Sequence, residues 1–131
     1  MPARGRILVV DDEPALCLLY DELLRDEGYV VTTATNGAQA LQRMDSFQPD
    51  LVLLDIRMPG MDGVELMGRM LNRRNDVPIV LNTAYSCYKD NFCTWVASAY
   101  VVKSSDSREM LATIDKVLAA TRQLRPSHQA A

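Results

Sequence analysis

The chain has 131 residues, 48% of them hydrophobic, and a formal net charge of −3. That length suits one domain with a core of its own, and the mild acidity gives no electrostatic reason to bind nucleic acid or an anionic membrane. No apolar stretch reaches the roughly 18 residues of a membrane span, and Met1 to Arg6 lacks the apolar core of a signal peptide, so a cytoplasmic location is expected.

In chain order, Ile7-Leu8-Val9-Val10 is a short, continuous apolar run, the pattern of a strand buried on both faces of a parallel sheet. Asp11 and Asp12 follow it. Pro14 to Glu27 is a predicted helix with Leu16, Leu19, Leu23 and Leu24 on one apolar face. Pro14 suits a first turn, where a missing N–H costs little. The acids Asp12 and Glu13 suit the positive end of the helix dipole, and Gly28 is placed to end the helix. Tyr29-Val30-Val31-Thr32-Thr33 is a more polar strand, expected near an edge. Asn36 to Ser46 is a second helix anchored by Leu41 and Met44.

Leu51-Val52-Leu53-Leu54 is the next buried strand, and it delivers Asp55. Asp62 can cap a third helix carrying Val64, Leu66, Met67, Met70 and Leu71. Ile79-Val80-Leu81 leads through Asn82 to Thr83. Tyr85 to Val96 is a fourth predicted helix, against its β-branched and aromatic content. Tyr100-Val101-Val102 leads to Lys103, and Asp106 can cap a fifth helix with Met110, Leu111, Ile114, Val117 and Leu118 inward. Residues 121–131 carry no periodic pattern and read as a tail or linker stub, which leaves 1–120 as the domain. The cysteines Cys17, Cys87 and Cys93 are odd in number and irregular in spacing, against a disulfide framework. With His128 alone to join them a zinc site is not expected, and they read as buried thiols.

Five strands alternating with five helices predict an open α/β sandwich. Right-handed crossovers put the strand carboxyl ends on one edge, and ligands in such sheets bind outside those ends, where the strand order reverses. Taken singly, each polar residue there has an ordinary reading. Adjacent aspartates are turn formers or caps, Asp55 is a loop residue, Thr83 and Tyr100 are strand residues, and Lys103 is a surface charge. Together, Asp11, Asp12, Asp55, Thr83 and Lys103 bring carboxylates, a hydroxyl and an amine to one edge. Clustered carboxylates repel unless a cation binds or one takes a proton. An all-oxygen set suits Mg²⁺, and a phosphate beside that ion would meet Lys103 and Thr83. Such an edge suits phosphoryl chemistry.

On these residues the chain resembles the receiver domain of two-component response regulators, from Arg6 to about Ala120. The pattern stands as Val9-Val10-Asp11-Asp12-Glu13, the block from Asp50 to Gly63 (Asp50-Leu51-Val52-Leu53-Leu54-Asp55-Ile56-Arg57-Met58-Pro59-Gly60-Met61-Asp62-Gly63), Thr83-Ala84, and Tyr100-Val101-Val102-Lys103. The resemblance implies a flavodoxin-like (βα)5 doubly wound fold with a five-stranded parallel sheet in the order 2-1-3-4-5. It implies that Asp55 accepts a phosphoryl group from a phosphohistidine of a histidine kinase or phosphotransfer protein. Asp12, Asp55 and the backbone carbonyl of Arg57 would bind Mg²⁺ directly, with Asp11 acting through water. Lys103 would pair with Asp55 and then with its phosphoryl group, Thr83 would bond a phosphoryl oxygen, and Tyr100 would turn inward as Thr83 moves. The face of the fourth helix, fifth strand and fifth helix would carry the change to an effector, an output domain or a second copy of the chain.

The chain departs from the family's pattern at Ser104, where proline is usual, and at Val96, where glycine is common. A non-proline cis bond costs about 2.5–4 kcal/mol, so a trans Lys103-Ser104 link is expected. Arg57 and Tyr85 are large at positions two beyond the acceptor and the switch threonine, which predicts a slowly hydrolysed acyl phosphate. Pro59-Gly60 and Asp62-Gly63 are expected to shape the loop after Asp55, the glycines permitting positive φ. The result would be a signalling module, not an enzyme, whose catalysis is limited to its own phosphorylation and dephosphorylation. Three alternatives stay open. A phosphatase with an aspartyl-phosphate intermediate usually has a second acid where Arg57 stands. A flavin carrier would want hydroxyls where Asp11 and Asp12 stand. A receiver-like module could also work without phosphorylation. A stand-alone regulator and a piece of a longer one are both open.

Overall fold

The computed structural model describes residues 4–55, 57–58, 61–74, 76–83, 99–102 and 107–123, with 57–58, 61–64, 83, 99–102 and 122–123 described by their backbone. The elements are β1 (Arg6–Val10), α1 (Pro14–Asp26), β2 (Val30–Ala34), α2 (Gly37–Phe47), β3 (Leu51–Leu54), β4 (Arg57–Met58), β5 (Met61–Asp62), α3 (Gly63–Arg73), β6 (Ile79–Thr83), β7 (Ala99–Val102) and a C-terminal helix (Arg108–Gln123). β2, β1, β3, β6 and β7 lie side by side in that order, with every pairing parallel. This is the open α/β class that the strand pattern predicts, with the flavodoxin-like parallel sheet that the resemblance implies. The predicted helix between Tyr85 and Val96, Cys87, Cys93, Lys103 and the Lys103-Ser104 link lie outside the described residues.

Side chains on a strand alternate between its faces, so each apolar run feeds two layers. Leu8, Val10, Val52, Leu54, Ile79 and Leu81 pack against Ala40 and Met44 of α2 and Leu66, Met67 and Met70 of α3. Ile7, Val9, Leu51, Leu53 and Val80 face the other way, onto Cys17, Tyr20 and Leu24 of α1 and Met110, Ile114 and Leu118 of the C-terminal helix. The strands therefore sit inside a doubly covered sheet, and their ends are held rigidly. β2 is more polar than its neighbours and takes an edge, as its threonines suggest.

Several details differ from the sequence expectation. α1 buries Cys17, Tyr20 and Leu24, with Leu16 and Leu23 on the flank, while Leu19 is 44% and Leu18 61% exposed. The buried face is thus centred on Cys17, Tyr20 and Leu24, and it turns Leu19 outward. Asn36 is not in α2 but caps it, its side chain accepting from the Gln39 N–H at 2.8 Å. The last helix begins at Arg108, so Ser107 rather than Asp106 flanks it, and the Ser107 carbonyl accepts from Leu111 N–H. That helix continues through Thr121 to Gln123, into the segment expected to be a tail. Gly63 is the first residue of α3, a helical position, so no positive φ is used there; Gly60 lies outside the described residues. The ribbon of β4 and β5, with Arg57 opposite Asp62, was not expected, because two-residue strands carry no periodicity.

α1 ends where the sequence places it, for a reason visible in its bonds. The Tyr29 N–H donates to the Leu24 carbonyl at 3.1 Å and the Gly28 N–H to the Arg25 carbonyl at 3.0 Å. That pair of bonds is the Schellman closure, with Tyr29 and Leu24 both buried in one layer. Gly28 sits at φ +95, and an added Cβ would meet the flexible Arg4 side chain at 3.2 Å. Gly28→Ala is expected to destabilise the chain by about 1–2 kcal/mol, mostly from the backbone conformation. Urea unfolding measures it, and an unchanged midpoint would contradict the closure argument.

Candidate functional site

Register brings the acids together. Val10 pairs with Leu54 across β1 and β3, so the residues that follow, Asp11 and Asp55, emerge side by side. Both backbones stay tethered one step past the strands: the Asp55 N–H donates to the Val10 carbonyl at 2.9 Å and the Asp11 N–H to the Ala34 carbonyl at 3.1 Å. Asp11 is 1% and Asp55 6% exposed, and Asp12 is half-buried. A carboxylate oxygen from each of Asp11, Asp12 and Asp55 lies within 4.8 Å of the other two.

The start of α1 is bound into this cluster. Asp11 Oδ1 accepts the Glu13 N–H at 3.0 Å, an Asx-type turn that leads into Pro14. The Cys17 thiol donates to the Asp11 carbonyl at 3.2 Å. Glu13 itself holds the cap position with no side-chain cap bond, and Asp11 fixes the residue just before the helix.

Like charges this close repel by about 3 kcal/mol per pair at an effective dielectric near 20. A bound cation turns that repulsion into attraction. The donors are all carboxylate oxygens, which fit a hard ion such as Mg²⁺, and Mg²⁺ keeps several waters and needs few protein ligands. The residues present therefore fit that ion. Arg57 lies two residues past Asp55, at the start of the β4–β5 ribbon.

On the other side of Asp55, Leu54 pairs with Leu81 of β6, so Asn82 is level with Asp55 and Thr83 is one residue beyond. Thr83 is the last residue of β6 and pairs with Val102, the residue before Lys103. Tyr100 pairs with Leu81, two residues below the end of β7. The backbone thus carries Thr83 to the same sheet edge as the aspartates and sets Tyr100 lower. Asn82 was passed over in the sequence as the end of an apolar run. Its signal was available: an amide at a position where β6 is otherwise apolar up to Thr83.

The family model of the response regulator receiver domain matches residues 7–115. The DNA-binding response regulator MtrA of Mycolicibacterium smegmatis is 39% identical over 113 residues, which are 85% of this chain and 49% of that protein. Sporulation initiation phosphotransferase F of Bacillus subtilis is 42% identical over 80 residues, 61% of this chain and 64% of that one. The chain thus spans less than two thirds of the length of both relatives. Among solved structures, the response regulator TrrA of Thermotoga maritima in complex with Mg²⁺-BeF matches with TM-score 0.80 and 46% identity, over 86% of this chain and 97% of that one. TrrA in complex with the histidine kinase ThkA matches with TM-score 0.79 over the same shares.

The cluster makes a thermodynamic prediction. An ion that binds only the folded state raises stability, by about 2.7 kcal/mol at a hundred times its Kd. Millimolar Mg²⁺ is expected to raise the melting temperature by about 5 °C or more. Asp12→Asn relieves repulsion, so it is expected to melt higher than wild type without the ion and to gain less than half as much from it. A wild-type melting temperature indifferent to Mg²⁺ would contradict the reading of the cluster.

Proposed function

The chain belongs to the receiver-domain family of two-component response regulators, and on that premise we propose that Asp55 accepts a phosphoryl group from a histidine kinase or phosphotransfer protein. The observation that carries the proposal is the convergence of the Asp11, Asp12 and Asp55 carboxylates within 4.8 Å. The Mg²⁺-BeF and histidine kinase complexes of TrrA support it from outside this chain.

Asp12, Asp55 and the backbone carbonyl of Arg57 would hold Mg²⁺, with Asp11 acting through water. When bound, the ion supplies charge neutralisation and alignment, which are most of what phosphoryl transfer needs. The Asp55 carboxylate oxygen attacks phosphorus in line. The phosphorus–nitrogen bond of the donor phosphohistidine breaks, and the imidazole leaves with its electron pair. The Lys103 ammonium pairs first with the carboxylate and then with a phosphoryl oxygen. Rigid strand ends hold the nucleophile, so little entropy remains to be lost in alignment.

Phosphorylation replaces one negative charge with about two and adds acceptor oxygens. The Thr83 hydroxyl donates to one of them, Tyr100 turns inward behind it, and the end of β6 shifts. A helix expected between β6 and β7 would complete a (βα)5 unit, and the face expected there with β7 and the C-terminal helix would pass the change to an effector, an output domain or a second copy. The chain's own chemistry is limited to gaining and losing its phosphoryl group. Arg57 and Tyr85 hinder water at the acyl phosphate and lengthen its life.

Intact mass spectrometry after incubation with Mg²⁺ and phosphoramidate tests the assignment. Wild type is expected to gain one phosphoryl group, Asp55→Asn none, and chelation of Mg²⁺ to prevent labelling. Equal labelling of wild type and Asp55→Asn would place the acceptor elsewhere.

A further inference from the structure

A buried asparagine near the carboxyl end of an inner strand runs against strand preference. Asn82 is 3% exposed, and the residues before it on β6, Val80 and Leu81, are fully buried and apolar. Its side-chain N–H donates to the Met110 thioether at 3.9 Å. A thioether is a weak acceptor, and a buried amide costs free energy unless it is well bonded. Packing alone would favour an aliphatic residue at this position.

Its location gives the amide a use. The Leu54–Leu81 pairing makes Asp55 and Asn82 neighbours on adjacent strands, at a spacing of about 4.8 Å. Strand alternation puts them on the same face. Leu51 and Leu53 precede Asp55 in the layer of α1 and the C-terminal helix, and Val80 precedes Asn82 there, with Met110 in the same layer. Asp55 therefore has Asp11 and Asp12 on its β1 side and a carboxamide on its β6 side.

We infer that Asn82 is a positioning residue for the phosphorylated acceptor, its carboxamide leaving the Met110 sulfur to donate to an oxygen of the acyl phosphate on Asp55. The inference rests on Asp55 being the acceptor. The exchange replaces a weak neutral contact with a charge-assisted hydrogen bond. It takes place only in the state that carries the extra charge, so it favours that state over the unphosphorylated one. Asn82 holds the group from the side opposite the carboxylates, immediately before Thr83 in the chain.

The test compares near-isosteres. Asn82→Val fills the apolar layer and suits a strand; Asn82→Thr has the same shape with a hydroxyl donor. The full chain of each is labelled with phosphoramidate and Mg²⁺, and the site and lifetime of the label are read by mass spectrometry alongside thermal melting. Asn82→Val is expected to melt higher than wild type yet lose its label about tenfold faster, with Asn82→Thr recovering part of the lifetime. Met110→Leu keeps the volume and removes the competing sulfur, so its label is expected to last longer; it carries the test should Asn82→Val not fold. A wild-type lifetime in folded Asn82→Val labelled on Asp55, or no lengthening in Met110→Leu, overturns this inference and leaves the acceptor assignment standing. A wild-type chain labelled elsewhere, or not at all, overturns both.

Discussion

Two parallel strands in a fixed register hold like charges closer than they would choose to be. Val10 opposite Leu54 leaves Asp11 and Asp55 no freedom to separate. Their backbone N–H groups stay bound to Ala34 and Val10 carbonyls past the strand ends. A loop with three acids would relax by moving apart; a buried sheet cannot, because a one-residue slip would turn every apolar side chain to the wrong face. The hydrophobic layers on both faces of the sheet thus offset the repulsion at its edge. The apolar core and the cation preference of the site are two consequences of one register.

The same register organises what lies on the other side of Asp55. β6 brings Asn82 level with it and Thr83 just beyond, and β7 ends one residue before Lys103. The edge therefore runs from Asp11 and Asp12 after β1, through Asp55 after β3, to Asn82 and Thr83 on β6. That order suits the proposed phosphoryl acceptor, with carboxylates for a cation on one side and polar side chains on the other. α1 is tied into the acidic side through Asp11 Oδ1 on the Glu13 N–H and the Cys17 thiol on the Asp11 carbonyl.

The strands were legible because each is a continuous apolar run, and the acids because they stand directly after such runs. Helix ends with a chemical signature were legible too, as with Pro14 and Gly28. The rotation of α1 was not, because its leucines fall on more than one side, Leu18 and Leu19 outward and Leu24 inward, so they do not by themselves mark the buried face. The β4–β5 ribbon was missed because two-residue strands carry no period. Asn82 was missed because its meaning depends on a neighbour 27 positions earlier in the chain, which only the β3–β6 pairing reveals. Side-chain chemistry at strand ends can be read along the chain; which ends touch is a property of the sheet.

Magnesium titration followed by backbone amide NMR measures the gathering of these acids most directly. The account predicts one saturable site, with the largest shifts at Asp11, Asp12, Asp55 and Arg57 and small ones at β2 and the far ends of the helices. Shifts scattered over the acidic surface with no saturation, or none at Asp12 and Asp55, would contradict it.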